Sequence, residues 1–179
     1  VPAFGQPDVA ALPQNAYASF GQQWNVVSGL SSTAGGAGCA VSITGQYQVI
    51  TTRNVTNSIY YSSNYGQTWS LATGFLANGD YYSQLGISAS GQYLLTSMNA
   101  AGNALYVSSN YGQTWSSSGY TLSGSQYGRA SCISYSGQYQ FNACAGSGGG
   151  RIAISTNYGR SFTDRKSTRL NSSHANISY

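Results

Sequence analysis

The chain has 179 residues, of which only 6% are charged, and its formal net charge is +4. About a quarter of the residues are charged in a typical soluble domain, so this composition is unusual for a cytosolic enzyme. The chain contains three acidic residues, none of them Glu, and a single histidine, His174. These counts exclude most acid–base catalysis and most metal centres. The apolar runs are only a few residues long, so no membrane-spanning helix is predicted.

The polarity of the chain comes from Ser, Thr, Asn, Gln and sixteen Tyr rather than from charges. A tyrosine offers a flat apolar face with a polar tip, which suits contact with sugars or with other proteins. Nucleic acid requires clustered Lys and Arg, which this sequence lacks. We therefore predict other protein subunits or glycans as partners, possible membership of a larger assembly, and no nucleic-acid binding.

In chain order, we predict an N-terminal extension over residues 1–14, repeats over 15–163 and a non-repeat tail over 164–179. The first full repeat contains four short apolar–polar alternations, which predict strands at 39–43, 46–52, 58–62 and 68–71. Gly45 lies between the first two and predicts a tight turn, because glycine tolerates positive φ. No segment has a helical period, so the chain is predicted to be all-β.

Two motifs recur with one period. The segment Ser-Ser-Asn-Tyr-Gly-Gln-Thr-Trp at 62–69 returns at 108–115, loosely at 155–162, and in degenerate form at 17–24. The glycines of these copies are 45, 46 and 47 residues apart. A second motif, Gly-Gln-Tyr, begins at 45, 91 and 137, with a spacing of 46 residues. Two independent motifs with the same spacing indicate stacked structural repeats.

The eight-residue segment, called the Asn-Tyr-Gly motif below, resembles the Asp-box, or BNR, repeat of sialidase- and sortilin-like β-propellers. The resemblance implies a turn between the third and fourth strands of a four-stranded blade, clasped by the third residue of the motif. Asn replaces the family's Asp here and can make the same turn bonds without a charge. The resemblance implies a structural role for Ser62, Asn64, Gly66, Thr68, Trp69, Ser108, Asn110, Gly112, Thr114, Trp115, Ser155, Asn157, Gly159 and Phe162.

The predicted fold is a partial β-propeller of about three to four blades, at 15–30, 31–76, 77–122 and 123–163. Propellers close with about four to eight blades, so we expect further blades beyond this chain. The tail at 164–179 resembles a translated adapter or vector segment, and we expect it to be artefactual or disordered. A genuine basic tail is the alternative.

Asp-box propellers include sialidases and xyloglucan-active glycoside hydrolases. Sialidases need an arginine cluster and a Tyr nucleophile, and most glycosidases need two carboxylates at one sugar bond. The chain offers Asp8 and Asp80, while Arg53, Arg129 and Arg151 cluster only if the fold brings them together. We therefore predict no catalytic, metal-binding or cofactor-binding residue.

Three cysteines, Cys39, Cys132 and Cys144, permit one disulfide with three possible pairings, or else buried free thiols. Asn54 begins a glycosylation sequon, which favours an extracellular or luminal location. For the cysteines, the sequence leaves both the disulfide and the free-thiol alternatives open.

The tyrosines form two periodic sets. Tyr47, Tyr93 and Tyr139 follow Gly-Gln and are expected to pack between strands. The Asn-Tyr-Gly set is expected to lie exposed on turns, where it could stack sugars or form an assembly contact. This second set of possible binding residues is Tyr65, Tyr111 and Tyr158.

From these features we predict a non-catalytic structural or binding propeller module that mediates protein assembly or glycan contact. One alternative is a fragment of a sialidase- or xyloglucanase-like glycoside hydrolase whose catalytic residues lie in other blades. A third possibility is a luminal assembly factor of a membrane complex, because some photosystem assembly proteins resemble this propeller type.

Overall fold

A computed structural model describes residues 35–53, 58–74, 81–82, 84–99, 104–121, 126–146 and 151–166. All thirteen regular elements in these ranges are β-strands, so the predicted all-β class is confirmed. Nor do the described ranges contain a helix able to cross a membrane.

The strands form three antiparallel sheets. Sheet 1 contains β1 (Gly35–Val41), β2 (Gln48–Arg53), β3 (Ile59–Ser62) and β4 (Ser70–Leu71), in that spatial order. Sheet 2 contains β5 (Tyr81–Tyr82), β6 (Gly86–Ile87), β7 (Leu94–Asn99), β8 (Ala104–Ser108) and β9 (Ser116–Thr121). Sheet 3 contains β10 (Gln126–Ile133), β11 (Gln140–Gly146), β12 (Arg151–Ser155) and β13 (Thr163–Lys166).

In each sheet a turn at the Gly-Gln-Tyr motif joins two successive strands, β1 to β2, β6 to β7 and β10 to β11. Its glycines, Gly45, Gly91 and Gly137, have φ values of 78°, 84° and 86°, in the left-handed region that favours glycine. The N–H of Gly45 donates to the carbonyl of Ser42 at 2.9 Å, and the two later turns repeat this bond at the same distance. The Gly-Gln-Tyr motif therefore forms the same turn in all three sheets.

The first strands of sheets 1 and 3 each shift register against the next strand, at the same position of the repeat. The register of β1 against β2 shifts between Gly36 and Gly38, and that of β10 against β11 shifts between Gly128 and Ala130. In sheet 2 the inner edge is formed by two short strands, β5 and β6, which both pair with β7. β1 begins four residues before the predicted start, because its glycine-rich beginning carries no alternation of side chains.

Two cores lie between the sheets. Leu94 and Leu95 are consecutive residues of β7 with no exposed surface, and they belong to different cores because successive strand residues face opposite sides. The core between sheets 1 and 2 includes Val49, Ile59, Ala72, Leu85, Leu94, Tyr106 and Trp115. The core between sheets 2 and 3 is built on Leu95, Leu105 and Ala153.

Each contact between neighbouring sheets, called a joint below, contains a pair of tyrosines. In the first joint the rings of Tyr47 and Tyr111 are stacked with centroids 4.2 Å apart and an interplanar angle of 27°. In the second joint the rings of Tyr93 and Tyr158 are tilted with centroids 4.9 Å apart. The Gly-Gln-Tyr tyrosine of one sheet thus meets the Asn-Tyr-Gly tyrosine of the next.

Backbone hydrogen bonds also cross both joints at equivalent positions. The N–H of Ile43 donates to the carbonyl of Ala89 at 3.0 Å, and the N–H of Ala89 donates to the carbonyl of Tyr135 at 3.1 Å. Thr73, after β4, pairs in parallel with Thr114 of the next sheet. The joint is therefore a repeated interface with fixed register, and not only an apolar contact.

Close backbone approach at the joint leads to a prediction about Gly112. Its φ is +82°, and a Cβ added there would lie 2.7 Å from Cγ2 of Val49 on the neighbouring sheet. We expect Gly112→Ala to lower the free energy of unfolding by about 2–4 kcal/mol, because left-handed strain and overpacking add. Urea denaturation followed by far-UV circular dichroism measures this loss.

Gly119→Ala is the matched control. Gly119 also has a positive φ of +73°, but a Cβ added there would meet no atom within 4 Å. Only the conformational strain applies, so we expect a loss of about 1–2 kcal/mol. Equal losses for the two variants would show that the joint at Gly112 is not tightly packed.

Candidate functional site

The Asn-Tyr-Gly turn is built around a serine hydroxyl at the end of the third strand. Oγ of Ser62 accepts the N–H groups of Asn64 and Gly66 at 3.3 and 2.9 Å, and donates to Oδ1 of Asn64 at 2.9 Å. A single side chain therefore satisfies two backbone donors that the tight turn leaves without strand partners.

The asparagine closes the other half of the turn. Oδ1 of Asn64 accepts the N–H of Thr68 at 3.0 Å, and its Nδ2 donates to Oγ1 of Thr68 at 2.9 Å. Nε1 of Trp69 then donates to the carbonyl of Gly66 at 3.1 Å. These contacts fix the chain reversal between β3 and β4 without any charge.

The turns at 108–115 and 155–162 repeat this pattern. Oδ1 of Asn110 and of Asn157 each accepts the backbone N–H four residues later at 3.0 Å. Phe162 replaces the tryptophan in the third turn, and its side chain has no N–H to donate. The centroid of its ring lies 6.3 Å from that of Tyr120. The third turn therefore keeps the serine–asparagine clasp and loses only the indole bond.

The tyrosine of each turn has a backbone conformation that is uncommon for a large side chain. The φ values of Tyr65, Tyr111 and Tyr158 are 60°, 63° and 62°. The N–H of Tyr65 donates to the carbonyl of Gln46 at 3.1 Å, and both later turns make the equivalent bond to the Gln of the Gly-Gln-Tyr motif. The two motifs thus touch within each sheet, and their similar separation in the sequence, 21 or 22 residues between their glycines, was the signal of that contact.

The structure divides the predicted binding tyrosines into two kinds. Tyr111 and Tyr158 are engaged in the joints, whereas the ring of Tyr65, on sheet 1, is 60% exposed. Of the strand set, Tyr47 and Tyr93 pack in the joints, whereas Tyr139 on sheet 3 is 46% exposed. The three turn tyrosines therefore do not form a ring of equally accessible side chains, and a binding role for them stays a prediction.

A groove of about 460 Å³ is lined by residues of sheets 2 and 3 at the joint between them. Its size is that of a small-ligand site. Trp115 contributes to its wall but is 3% exposed, so Tyr158, at 37%, is the more accessible aromatic side chain. The groove is lined mainly by hydroxyl, amide and aromatic groups with one guanidinium, from Gln92, Tyr93, Ser116, Ser117, Tyr158 and Arg160.

Sequence reasoning missed Gln92, Ser116 and Arg160 as candidate site residues. They belong to two different repeats, and only the joint brings them to one groove. The shared period of the motifs was the available signal, because it placed Gln92 and the third Asn-Tyr-Gly motif on neighbouring sheets.

Of the charged candidates, the structure describes the side chains of Arg129 and Arg151. Nη1 of Arg151 lies 2.8 Å from Oδ2 of Asp164, linking β12 to β13, and Arg129 is exposed on β10. β13 extends to Lys166, three residues past the predicted end of the repeats, because Asp164 continues the pairing with β12.

Asp8, Asp80, the Asn54 sequon and residues 167–179 lie outside the described residues. Within the described ranges no three His, Cys, Asp or Glu side chains group in a way that could hold a metal ion.

The three cysteines are free thiols. Cys39 and Cys132 are exposed, whereas burial raises the pKa of Cys144 to about 11, so this thiol is protonated at neutral pH. Its Sγ–H donates to Oδ1 of Asn142 at 3.2 Å, and Nδ2 of Asn142 donates across the joint to Oγ of Ser97 at 3.2 Å. Cys144 therefore belongs to a buried polar link between sheets 2 and 3.

No family model and no curated protein matches the chain. Solved structures do match it. A GH74 enzyme from Niastella koreensis is 25% identical, with a TM-score of 0.52 over 72% of this chain and 17% of that chain. YCF48 bound to a D1 peptide is 15% identical, with a TM-score of 0.57 over 75% of this chain and 42% of that one. A GH74 xyloglucanase from Xanthomonas campestris is 14% identical, with a TM-score of 0.56 over 73% and 21%.

These structures are β-propellers. The three sheets are propeller blades. The predicted fold class, a partial propeller of four-stranded antiparallel blades, is confirmed. The chain spans less than half the length of each of the three structures and matches a part of a propeller in them.

The clasp geometry leads to a prediction about Asn110. Asn110→Ala removes the acceptor for the N–H of Thr114 and the donor to its Oγ1, and leaves the Ser108 hydroxyl without its acceptor. We expect a loss of about 2–3 kcal/mol in the free energy of unfolding, measured by urea denaturation.

Asn110→Asp is the control for this prediction. A carboxylate accepts the same N–H and hydroxyl groups, and the Thr114 hydroxyl can turn to become its donor. We expect a loss below about 1 kcal/mol. If Asn110→Asp destabilised the protein as much as Asn110→Ala, the clasp would not be the source of the stability.

Proposed function

We propose that this chain is a non-catalytic structural and binding module of an extracellular or luminal β-propeller, and that it contacts glycans or protein partners. The observation that carries the proposal is the groove beside the second joint, which presents neutral hydroxyl and amide groups next to an accessible tyrosine ring. Such a lining suits sugars or polar peptide segments, which combine apolar faces with hydrogen-bonding groups. In this proposal the Asn-Tyr-Gly turns are Asp-box turns in which Asn replaces Asp.

The charges of the described blades support a non-catalytic role. Glycoside hydrolysis by the usual mechanism needs two carboxylates on either side of one sugar bond. Asp164 is bound to Arg151 at 2.8 Å on the outer strands of its blade. Asp164 is the one acidic residue in the described ranges, so these blades do not themselves supply such a pair of carboxylates.

The second candidate is a part of a glycoside hydrolase whose catalytic residues lie in other blades. The observation that favours it is the 25% identity with the GH74 enzyme from Niastella koreensis. The third candidate is a luminal assembly factor of a membrane complex, favoured by the similarity to YCF48 bound to a D1 peptide. Glycosylation at Asn54 would support the proposed location and is checked by mass spectrometry of the protein from its natural source.

Calorimetric titration with neutral oligosaccharides and polar peptides tests the groove. We expect Gln92→Ala to weaken binding of the best ligand about five-fold, because it removes one hydrogen-bonding side chain from the groove. Gln46→Ala is the matched control, since Gln46 has the same motif position in the first repeat and does not line the groove.

Two results would count against the proposed function. Equal affinities of the two variants would place the binding site elsewhere and overturn the proposed role of the groove. Release of reducing sugar from xyloglucan or of sialic acid from sialosides would favour the glycoside hydrolase.

A further inference from the structure

One cationic side chain distinguishes the groove at the second joint. The sixth position of the Asn-Tyr-Gly motif is Gln67 in the first copy, Gln113 in the second and Arg160 in the third. Arg160 lines the groove and is the one charged residue among the described residues of its wall. The third motif therefore adds a guanidinium at a position where the other two carry a neutral amide.

The turn fixes the main chain from which this guanidinium extends. The N–H of Arg160 donates to the carbonyl of Asn157 at 3.3 Å, and the N–H of Ser161 donates to Oδ1 of Asn157 at 3.0 Å. The arginine itself is exposed. The one acidic residue in the described ranges, Asp164, is paired with Arg151 at 2.8 Å, and Arg160 makes no ion pair there. Its charge is therefore available to a ligand.

Serine hydroxyls of the neighbouring blade line the same groove. Oγ of Ser117 accepts the N–H of Gly119 at 3.3 Å, and Oγ of Ser118 accepts the N–H of Tyr120 at 3.2 Å. A hydroxyl that accepts one bond keeps its own proton to donate. Both serines can therefore donate to oxygen atoms of a ligand, and the accessible ring of Tyr158 offers a flat apolar surface in the same groove.

We propose that the groove binds an acidic oligosaccharide, with the carboxylate of a hexuronic acid held by Arg160 and a sugar ring lying against Tyr158. This inference rests on the proposed function and names the class of its ligand. A guanidinium presents paired N–H donors that match the two oxygens of a carboxylate. The serines favour a sugar over an acidic peptide, because one sugar ring carries several hydroxyl oxygens whereas a peptide carries one carbonyl oxygen per residue.

Calorimetric titration with trigalacturonate and with its trimethyl ester tests the role of the charge. The ester keeps the rings and their hydroxyls and removes the negative charges. We expect the wild type to bind the acid about ten-fold more tightly than the ester, because only the acid pairs with the guanidinium. Raising the salt concentration from about 0.05 to 0.5 M should reduce this difference, since an exposed ion pair is screened.

Arg160→Gln is the corresponding change in the protein. It places at 160 the residue found at the equivalent positions 67 and 113, so we expect the variant to keep the wild-type circular dichroism spectrum. The variant should bind the acid about ten-fold more weakly than the wild type and the ester within about two-fold of it. The acid and the ester then have similar affinities for Arg160→Gln.

Arg129→Gln is the matched control. It removes the same charge from an exposed position on β10 that does not line the groove. We expect this variant to bind the acid as the wild type does. An equal loss in both arginine variants would show that net charge alone attracts the acid, and would overturn the role of Arg160.

The remaining outcomes separate this inference from the proposed function. Equal wild-type affinities for acid and ester, no binding of the acid, or no loss in Arg160→Gln would each overturn the acidic ligand. If Gln92→Ala nevertheless weakened binding of the neutral ester, the groove would remain a site for neutral sugars and only this inference would fail. If neither Gln92→Ala nor Arg160→Gln changed any affinity, both would fail.

A peptide provides the last comparison. Tighter binding of a polar peptide with a free carboxylate than of trigalacturonate would assign the groove to a protein partner. That result would contradict the acidic oligosaccharide and leave the groove itself as the binding site.

Discussion

The arrangement of these blades depends on fitting one tyrosine ring between two turns of the next blade. The ring of Tyr47 stacks on Tyr111, and its Cβ occupies space next to Gly91, where an added Cβ would lie 2.7 Å away. Gly91 also has a positive φ, so glycine meets a conformational and a packing requirement at the same position. The second joint uses Tyr93, Gly137 and Tyr158 in the same way, so a residue pattern of about 46 positions sets the spacing of the blades.

This use of the turns explains where binding can occur. Because Tyr111 stacks on Tyr47 in the first joint, it is less available to a ligand than its position on a turn suggests, whereas Tyr158 is 37% exposed at the second joint. The groove forms beside the second joint, where Gln92 of one blade and Arg160 of the next both line it. Among the described residues Tyr65 and Tyr139 make no such ring contact, and they are 60% and 46% exposed. In the proposed function, packing and ligand binding therefore use the same residue types at different positions in the row of blades.

Much of the fold could be predicted from the sequence because its local signals agree. The alternation of side chains indicated the strands, Gly45 indicated a turn, and the resemblance to the Asp-box indicated a clasp by the asparagine of each motif. The pairing of tyrosines from different repeats could not be predicted, because local patterns do not say which residues meet across a joint. The groove residues were missed for the same reason. The glycine-rich start of β1 gave no alternation to detect, and the tail beginning at 164 looked non-repetitive although Asp164 pairs with the preceding strand.

A double-mutant cycle between Tyr47 and Tyr111 tests the central role of the joint most directly. The free energy of unfolding would be measured by urea denaturation for the wild type, Tyr47→Leu, Tyr111→Asn and the double variant. Stacked aromatic rings are coupled by about 0.5–1.5 kcal/mol beyond their burial, so the double variant should lose less stability than the sum of the single variants, by that amount. Losses that add within about 0.3 kcal/mol would show that the two rings act independently and would contradict the account.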